Sequence, residues 1–227
     1  MGRRARAIHA VDLFCGVGGL SYGLAQAGVQ VRAGIDVDEA CEYAYERNNA
    51  GSFIAKDVRE LKGSDVLALY PKTGVRLLAG CAPCQPFSRH MRGIDTSSDS
   101  KWTLLDEFGR LIKEVRPDLV TMENVTGLAR TPVFKRFVAT LEGHGYNLDF
   151  ASCYGPRYGL PQHRRRLVLV ASLLGEVTVP APRKKRSALP TVRQAIGSLP
   201  ELLSGEQHPK DPLHRARSLC ENNLGGL

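Results

Sequence analysis

The segment VRLLAGCAPCQPFSR, residues 75–89, decides the fold class of this chain. Its first five residues are mostly apolar and predict a short buried strand, and a turn rich in cysteine and proline follows directly. Parallel α/β sheets build their active sites at such places, beyond the carboxyl ends of the strands. Prolines on both sides of Cys84 fix the backbone, so its thiol is held in place and can act as a nucleophile.

Cys81 and Cys84 also form a Cys-x-x-Cys pair, which is the spacing of redox and metal-binding cysteines. Within this segment both interpretations stay open, and only the rest of the chain distinguishes them.

Strand-like and helix-like patterns alternate on either side of this segment, as they do in a parallel sheet with crossover helices. We therefore predict an α/β fold with a mostly parallel, doubly wound sheet. Residues 1–175 are expected to form the main domain, and 176–227 a proline-rich linker and a polar tail. The polar residues 88–101 predict a mobile loop. The predicted strands are 7–13, 29–35, 53–55, 75–79, 119–122, 146–153 and 167–171, and the predicted helices are 20–27, 39–48, 104–112, 133–141 and 191–199.

The charge distribution favours a nucleic-acid partner. The 227 residues carry a formal net charge of +8, and residues 157–193 contain nine basic residues against one acidic residue. A basic face of this kind attracts a polyanion, although it can also be a simple solvated surface. The scattered cysteines, the lack of an export signal and the lack of a long apolar run predict a cytoplasmic protein with free thiols and no membrane contact.

A glycine-rich turn, residues 12–21, follows the first predicted strand. Its glycines let a ligand approach the backbone, but Ser21 stands where the dinucleotide fingerprint needs its last glycine. Asp36 ends the second predicted strand, where an acid suits ribose hydroxyls. Asp57 ends the third and would suit an adenine amino group. An isolated aspartate at such a place is more often a turn or cap residue.

Two further sites carry charge at strand ends. Glu123 ends the fifth predicted strand, and a carboxylate buried there is costly unless it is paired or functional. Arg164 and Arg166 precede a later apolar strand, and strand alternation directs both to the same side. Guanidinium groups there would bind a carbonyl or phosphate oxygen.

Four segments, in this order, resemble the motifs of the cytosine-5 DNA methyltransferases. Residues 14–19 (FCGVGG) resemble the motif that cradles S-adenosylmethionine, and 83–88 (PCQPFS) resemble the nucleophile motif. Residues 123–125 (ENV) and 162–166 (QHRRR) resemble the glutamate and arginine motifs. Cys81-Ala82 departs from the Gly-Pro that the family often has there.

The resemblance implies a Rossmann-like S-adenosylmethionine-dependent methyltransferase that needs no metal. Cys84 would attack carbon 6 of cytosine, Glu123 would act at ring nitrogen 3, and the two arginines would bind the carbonyl oxygen. The base would have to leave the duplex, and residues 88–101 would close over it. The implied residues are Cys84, Glu123, Arg164 and Arg166 for catalysis; Phe14, Gly16, Gly18, Gly19, Asp36, Val37, Asp57, Val58, Pro83 and Leu104 for the cofactor; and Gln85, Ser88, Arg92 and Arg165 for DNA.

Family members continue into a target-recognition domain, and no segment here resembles one. We therefore expect one half of a split enzyme that works with a second chain, or a truncated form, binding double-stranded DNA in a bacterial cytoplasm at the nucleoid. Two alternatives stay open: methylation of transfer RNA, and an inactive DNA-binding or regulatory module.

Overall fold

The computed structural model describes residues 6–83, 103–182 and 189–220. In these residues, seven strands form one sheet in the order β3-β2-β1-β4-β5-β7-β6. The strands are β1 (Ile8–Leu13), β2 (Gln30–Asp36), β3 (Ser52–Ala55), β4 (Val75–Gly80), β5 (Leu119–Asn124), β6 (Asn147–Tyr154) and β7 (Arg165–Ser172). The helices are α1 (Gly19–Gln26), α2 (Glu42–Asn48), α3 (Gly63–Ala68), α4 (Thr103–Val115), α5 (Pro132–Gly143) and α6 (Val192–Ile196).

The sheet is mostly parallel, and its strand order reverses between β1 and β4. β1 pairs in parallel with both β2 and β4, and the parallel pairing continues outward to β3 and to β5. This reversal is the switch point of a doubly wound fold, where the carboxyl ends of neighbouring strands open a crevice. The predicted fold class is confirmed. β7 lies between β5 and β6 and runs antiparallel to both, an arrangement that the sequence pattern did not predict.

The core lies on both sides of the central strands. Five consecutive residues of β1 and four of β4 are buried, as expected for strands covered on both faces. α4 turns one apolar face to the sheet, and its Phe108 ring lies 5.4 Å from that of Phe137 on α5. α5 starts where the Thr131 hydroxyl accepts a hydrogen bond from the Phe134 amide at 3.3 Å. The buried residues of α4 are Leu105, Phe108, Gly109, Leu111, Ile112 and Val115.

Several elements differ from the predictions. The helix predicted over 39–48 begins as a 3-10 turn, Glu39–Cys41, before α2. α3 was not predicted, because it is six residues long and buries few side chains. The helix predicted over 191–199 is shorter, Val192–Ile196, and none of the residues 189–220 is buried. In the part of the chain that the structure describes, every helix is too short or too polar to cross a bilayer.

Strand register places the predicted functional segments along one edge of the sheet. Leu13 pairs with Ile35 and with Gly80, and Gly80 pairs with Met122. The residues that follow these positions are the glycine turn, Asp36, the cysteine turn and Glu123. This edge therefore brings together the glycine turn, Asp36 and Glu123, which the sequence predicted as functional, and the described start of the cysteine turn, residues 81–83.

Candidate active site

The glycine turn after β1 leaves open space above its backbone. Gly16 and Gly18 have positive φ angles of 51° and 87°, which favour glycine. A Cβ at Gly16 or at Gly19 would meet no atom within 4 Å, so a ligand has room there. At Gly18 a Cβ would come within 2.2 Å of the Asn49 side chain, so this position requires glycine for packing as well.

Asp36 joins the end of β2 to this turn. Its Oδ2 accepts a hydrogen bond from the Gly16 amide at 2.8 Å, and its Oδ1 accepts one from the Asp38 amide at 3.0 Å. The neighbouring Val37 side chain is 68% exposed beside these polar groups. An open glycine turn, an acid beside it and an exposed apolar side chain together fit the predicted nucleoside end of S-adenosylmethionine.

Asp57 is already engaged by its own loop. Its carboxylate accepts from the Arg59 amide at 2.9 Å and binds the Arg59 guanidinium, which holds the pKa of Asp57 below its usual value. The Val58 side chain is buried in the core, so only its backbone is placed to meet a ligand. Asp57 therefore caps its own loop in this structure. A contact between its carboxylate and an adenine amino group would have to form while the carboxylate remains bound to Arg59.

The remaining predicted cofactor residues lie at the same edge. Phe14 directly follows β1, has a positive φ of 57°, and packs partly against the core. Pro83 is exposed beyond β4, the parallel neighbour of β1. Leu104 is half-buried in the first turn of α4.

Asp12 is a buried acid in β1, beneath the glycine turn, and the sequence motifs assign it no role. The Ser21 hydroxyl donates to its Oδ2 at 2.8 Å, and the Tyr45 hydroxyl lies 3.0 Å from the Ser21 oxygen. Since the Ser21 proton points to Asp12, Tyr45 is the donor in the second bond. These two hydrogen bonds connect β1, α1 and α2 beneath the turn. An aspartate between the apolar residues Val11 and Leu13 of the strand was the signal that could have identified it.

Glu123 is held from two sides at the end of β5. Arg166 donates from Nε to Oε1 of Glu123 at 2.8 Å, and the Cys81 thiol donates to Oε2 at 2.9 Å. The side chains of Arg166 and Glu123 are 22% and 29% exposed, so the ion pair is partly shielded from water. The next residue, Asn124, is buried and donates from Nδ2 to the Ala82 carbonyl at 3.0 Å. The turn after β4 is thereby attached to the end of β5.

The Glu123–Arg166 pair forms part of the wall of a cavity of about 400 Å³. A volume of this size lies within the range of small-ligand pockets. Arg164 lines the same cavity, as strand alternation predicted for Arg164 and Arg166. Acidic, basic and apolar side chains line this cavity together, and such a lining can bind a flat ring that has polar edges. The full lining is Glu123, Cys153, Gly155, Tyr158, Leu160, Gln162, Arg164, Arg166, Val168, Val179 and Pro180.

Arg165 points to a different surface. Its guanidinium lies over the Tyr154 ring, 4.7 Å from the ring centre, and lines a second cavity of about 310 Å³. The Tyr154 hydroxyl is hydrogen-bonded to His163 Nδ1. Arg165, the predicted DNA contact, thus lines a different cavity from Arg164 and Arg166.

The chain stays attached to the main domain beyond residue 175. The Val179 amide donates to Asp149 Oδ2 at 2.8 Å, and the Tyr158 hydroxyl donates to the Pro180 carbonyl at 3.0 Å. The start of the predicted linker thus forms part of the cavity wall. Cys84, Gln85, Ser88 and Arg92 lie outside the described residues, as do residues 183–188 of the basic cluster.

Comparison with known proteins identifies the family of the chain. Residues 8–223 match the family described as C-5 cytosine-specific DNA methylase. The Type II methylase M.HgiDII of Herpetosiphon aurantiacus is 44% identical over 217 residues, which are 94% of this chain and 61% of that protein. The Type II methyltransferase M.XorII of Xanthomonas oryzae is 32% identical over 200 residues, which are 84% of this chain and 46% of that protein.

Solved structures share the fold. A prophage-encoded E. coli protein described as a DNA modification methyltransferase superposes with a TM-score of 0.71 at 25% identity, over 88% of this chain and 57% of its own. The S. pombe Dnmt2 methyltransferase superposes with a TM-score of 0.62 at 23% identity, over 77% and 52% of the two chains. The present chain spans about half to two thirds of the length of these relatives. It belongs to the C-5 cytosine-specific DNA methylase family.

Proposed function

We propose that this chain transfers a methyl group from S-adenosylmethionine to carbon 5 of a cytosine flipped out of DNA, through a covalent bond to Cys84. The observation that carries the proposal is the Glu123–Arg166 ion pair, 2.8 Å between Oε1 and Nε, in the wall of a cavity, with Glu123 also bound by Cys81 of the cysteine turn. The DNA methylase family and its Type II relatives favour DNA over RNA as the substrate class.

Carbon 5 of cytosine is a poor nucleophile, so the ring has to be activated first. Cys84, as a thiolate, adds to carbon 6 and forms a carbon–sulfur bond, which moves electron density towards carbon 5. Glu123 holds or supplies a proton at ring nitrogen 3 and so offsets the negative charge that builds up on the ring. Carbon 5 takes the methyl group as the methyl–sulfur bond of the donor breaks. The carbon 5 proton then passes to solvent, and the electrons of the carbon–hydrogen bond restore the ring double bond and expel Cys84 as the thiolate.

The two cavity arginines orient the base. Arg166 is already bound to Glu123 through Nε and to the Arg165 carbonyl through Nη1. Arg164 is exposed and lines the same cavity, so the two guanidinium groups together can orient the carboxylate and bind the base carbonyl. A base inside a stacked duplex cannot reach these groups, and base flipping is therefore part of the proposal. Gln85, Ser88, Arg92 and Arg165 are proposed to contact the DNA.

The methyl donor is proposed to occupy the glycine turn. Gly16 and Gly19 would leave room for it, Gly18 would shape the turn beneath it, and Asp36 would lie at its ribose hydroxyls. When bound there, it supplies an electrophilic methyl group. The other residues proposed to contact it are Phe14, Val37, Asp57, the backbone of Val58, Pro83 and Leu104.

Residues 1–175 are proposed as the catalytic domain and 176–227 as a linker and tail. Selection of a DNA sequence is proposed to need polypeptide outside these 227 residues, supplied by a second chain or by a longer form. The chain covers 61% of M.HgiDII. An activity like that of the whole relative is therefore proposed here and does not follow from the similarity alone. We also propose that the chain acts on DNA at the nucleoid of a bacterial cell.

Transfer of radiolabelled methyl groups tests the proposal. The purified chain is incubated with labelled S-adenosylmethionine and either duplex DNA or transfer RNA, and Glu123→Gln serves as the matched variant. We expect incorporation at cytosine carbon 5 of DNA that the variant loses by about a hundredfold or more. Labelling of transfer RNA instead of DNA would refute the assigned substrate, and equal labelling by the variant would refute the assigned site. Asp36→Ala is expected to weaken donor binding in calorimetry.

A further inference from the structure

We propose that Cys81 is a positioning residue for Glu123. Its thiol binds Oε2 while Arg166 binds Oε1, so the carboxylate plane is fixed towards the cavity. The inference deepens the proposed function and rests on it, because it concerns the carboxylate that acts at ring nitrogen 3.

The sheet itself sets the distance between thiol and carboxylate. The Cys81 amide donates to the Leu13 carbonyl at 3.2 Å, which attaches the cysteine turn to β1. On the other side, Asn124 Nδ2 donates to the Ala82 carbonyl at 3.0 Å. β4 and β5 are parallel neighbours, so the two strand ends cannot move apart without breaking these bonds. The 2.9 Å contact between Cys81 Sγ and Glu123 Oε2 therefore joins two anchored groups.

The Cys81 thiol remains a proton donor in this environment. Burial, and then the negative charge of Glu123, raise the pKa of Cys81 well above its usual range, and the positive charge of Arg166 opposes this only in part. A thiolate at this distance would repel the carboxylate, whereas a neutral thiol donates to it. Each carboxylate oxygen can accept a second hydrogen bond, and those lone pairs stay available to the base.

The two contacts, from Arg166 and from Cys81, together fix the orientation of the Glu123 carboxylate, whereas a single contact would let it rotate. The terminal torsion of a glutamate is broad, so a carboxylate held only through Oε1 can still rotate about that contact. The thiol at Oε2 removes this freedom, because a rotation that keeps the Arg166 contact now breaks the Cys81 contact. Positioning within a fraction of an ångström is the kind of contribution that supports proton transfer at a defined ring atom.

Steady-state kinetics of Cys81→Ala and Cys81→Ser test the role, with Cys220→Ala as the matched control at an exposed cysteine. We expect Cys81→Ala to lower kcat by about tenfold and to leave KM for DNA within about twofold, because a hydrogen bond to a charged group is lost without loss of substrate contact. Serine keeps a donor at this position, so Cys81→Ser should recover most of the rate. An unchanged kcat in Cys81→Ala, or a serine variant as slow as the alanine variant, would overturn the role.

Infrared spectroscopy tests the same contact without any methyl transfer, so it separates failure of this inference from failure of the proposed function. The S–H band that disappears in Cys81→Ala should lie at a lower wavenumber than the band that disappears in Cys220→Ala, because the former thiol donates to a carboxylate. In Glu123→Gln the Cys81 band should move towards the Cys220 band. A Cys81 band at the position of the exposed thiol, in folded protein, would overturn the inference even if the chain methylates DNA.

Discussion

Asp12 should make the stability of this protein depend on pH, and Asp12→Asn should remove that dependence. The Asp12 side chain is fully buried, and its Oδ1 has no hydrogen-bond partner among the described residues. Burial raises its pKa from 3.8 to about 7, although the hydrogen bond from Ser21 opposes the rise; the charge of Asp36 adds slightly to it. Asparagine keeps an acceptor for Ser21 and carries no charge.

The sign and the size follow from linkage between protonation and folding. The pKa of Asp12 is higher in the folded state, so the folded state binds the proton more tightly than the unfolded state does. The resulting stabilisation is fully present below the unfolded pKa of 3.8 and is lost as the pH rises through about 7. A pKa difference of this size corresponds to roughly 4 kcal/mol between the two ends of the range.

Urea unfolding from about pH 4 to about pH 8 measures the effect. The free energy of unfolding of the wild type should fall, relative to that of Asp12→Asn, by up to about 4 kcal/mol across this range. Asp106→Asn, at an exposed aspartate of α4, serves as the control and should give a profile parallel to the wild type. A constant difference between the wild type and Asp12→Asn at all pH values would refute the assignment of a raised pKa to this buried acid.

Four further substitutions have defined outcomes. Gly34→Ala would place a Cβ 2.3 Å from the buried Tyr45 ring and should lower the free energy of unfolding by about 1–3 kcal/mol. Gly23→Ala, inside α1 with no atom within 4 Å of the added Cβ, should instead raise it by up to about 1 kcal/mol in the same urea assay. Arg166→Ala leaves the Glu123 carboxylate without its ion pair and should slow single-turnover methylation by about a hundredfold. Arg165→Ala should weaken DNA binding and leave the chemical step within about threefold; equal loss of the chemical step in both arginine variants would contradict the separation of the two faces.

Much of the fold and of the candidate site could be predicted from local sequence patterns. Apolar runs and the acids that end them indicated β2 with Asp36 and β5 with Glu123. Because parallel strands bring their carboxyl ends to one edge, the positions of these acids in the sequence were enough to predict that they lie along the same edge of the sheet. Alternation along the extended segment that leads into β7 predicted that Arg164 and Arg166 share a side, and both line one cavity.

Contacts between distant segments could not be predicted in the same way. The antiparallel insertion of β7 between β5 and β6 depends on sheet register, which no single segment determines. The Cys81–Glu123 hydrogen bond joins residues 42 positions apart, and the sequence indicated only a cysteine pair with Cys84. Asp57 pairs with Arg59, two residues along the chain, which is the cap role that is more frequent for an isolated aspartate; the sequence did not identify Arg59 as its partner.

The most direct test of the central claim is a covalent trap. The chain is mixed with S-adenosylmethionine and duplex DNA containing 5-fluorocytosine, whose fluorine cannot leave as a proton does, and the products are separated on a denaturing gel. Wild type and Cys220→Ala should form a protein–DNA adduct, and Cys84→Ala should form none. If folded wild type forms no adduct, the test is repeated with the polypeptide that completes the family length. Continued absence of an adduct, or an adduct that persists in Cys84→Ala, would contradict the account.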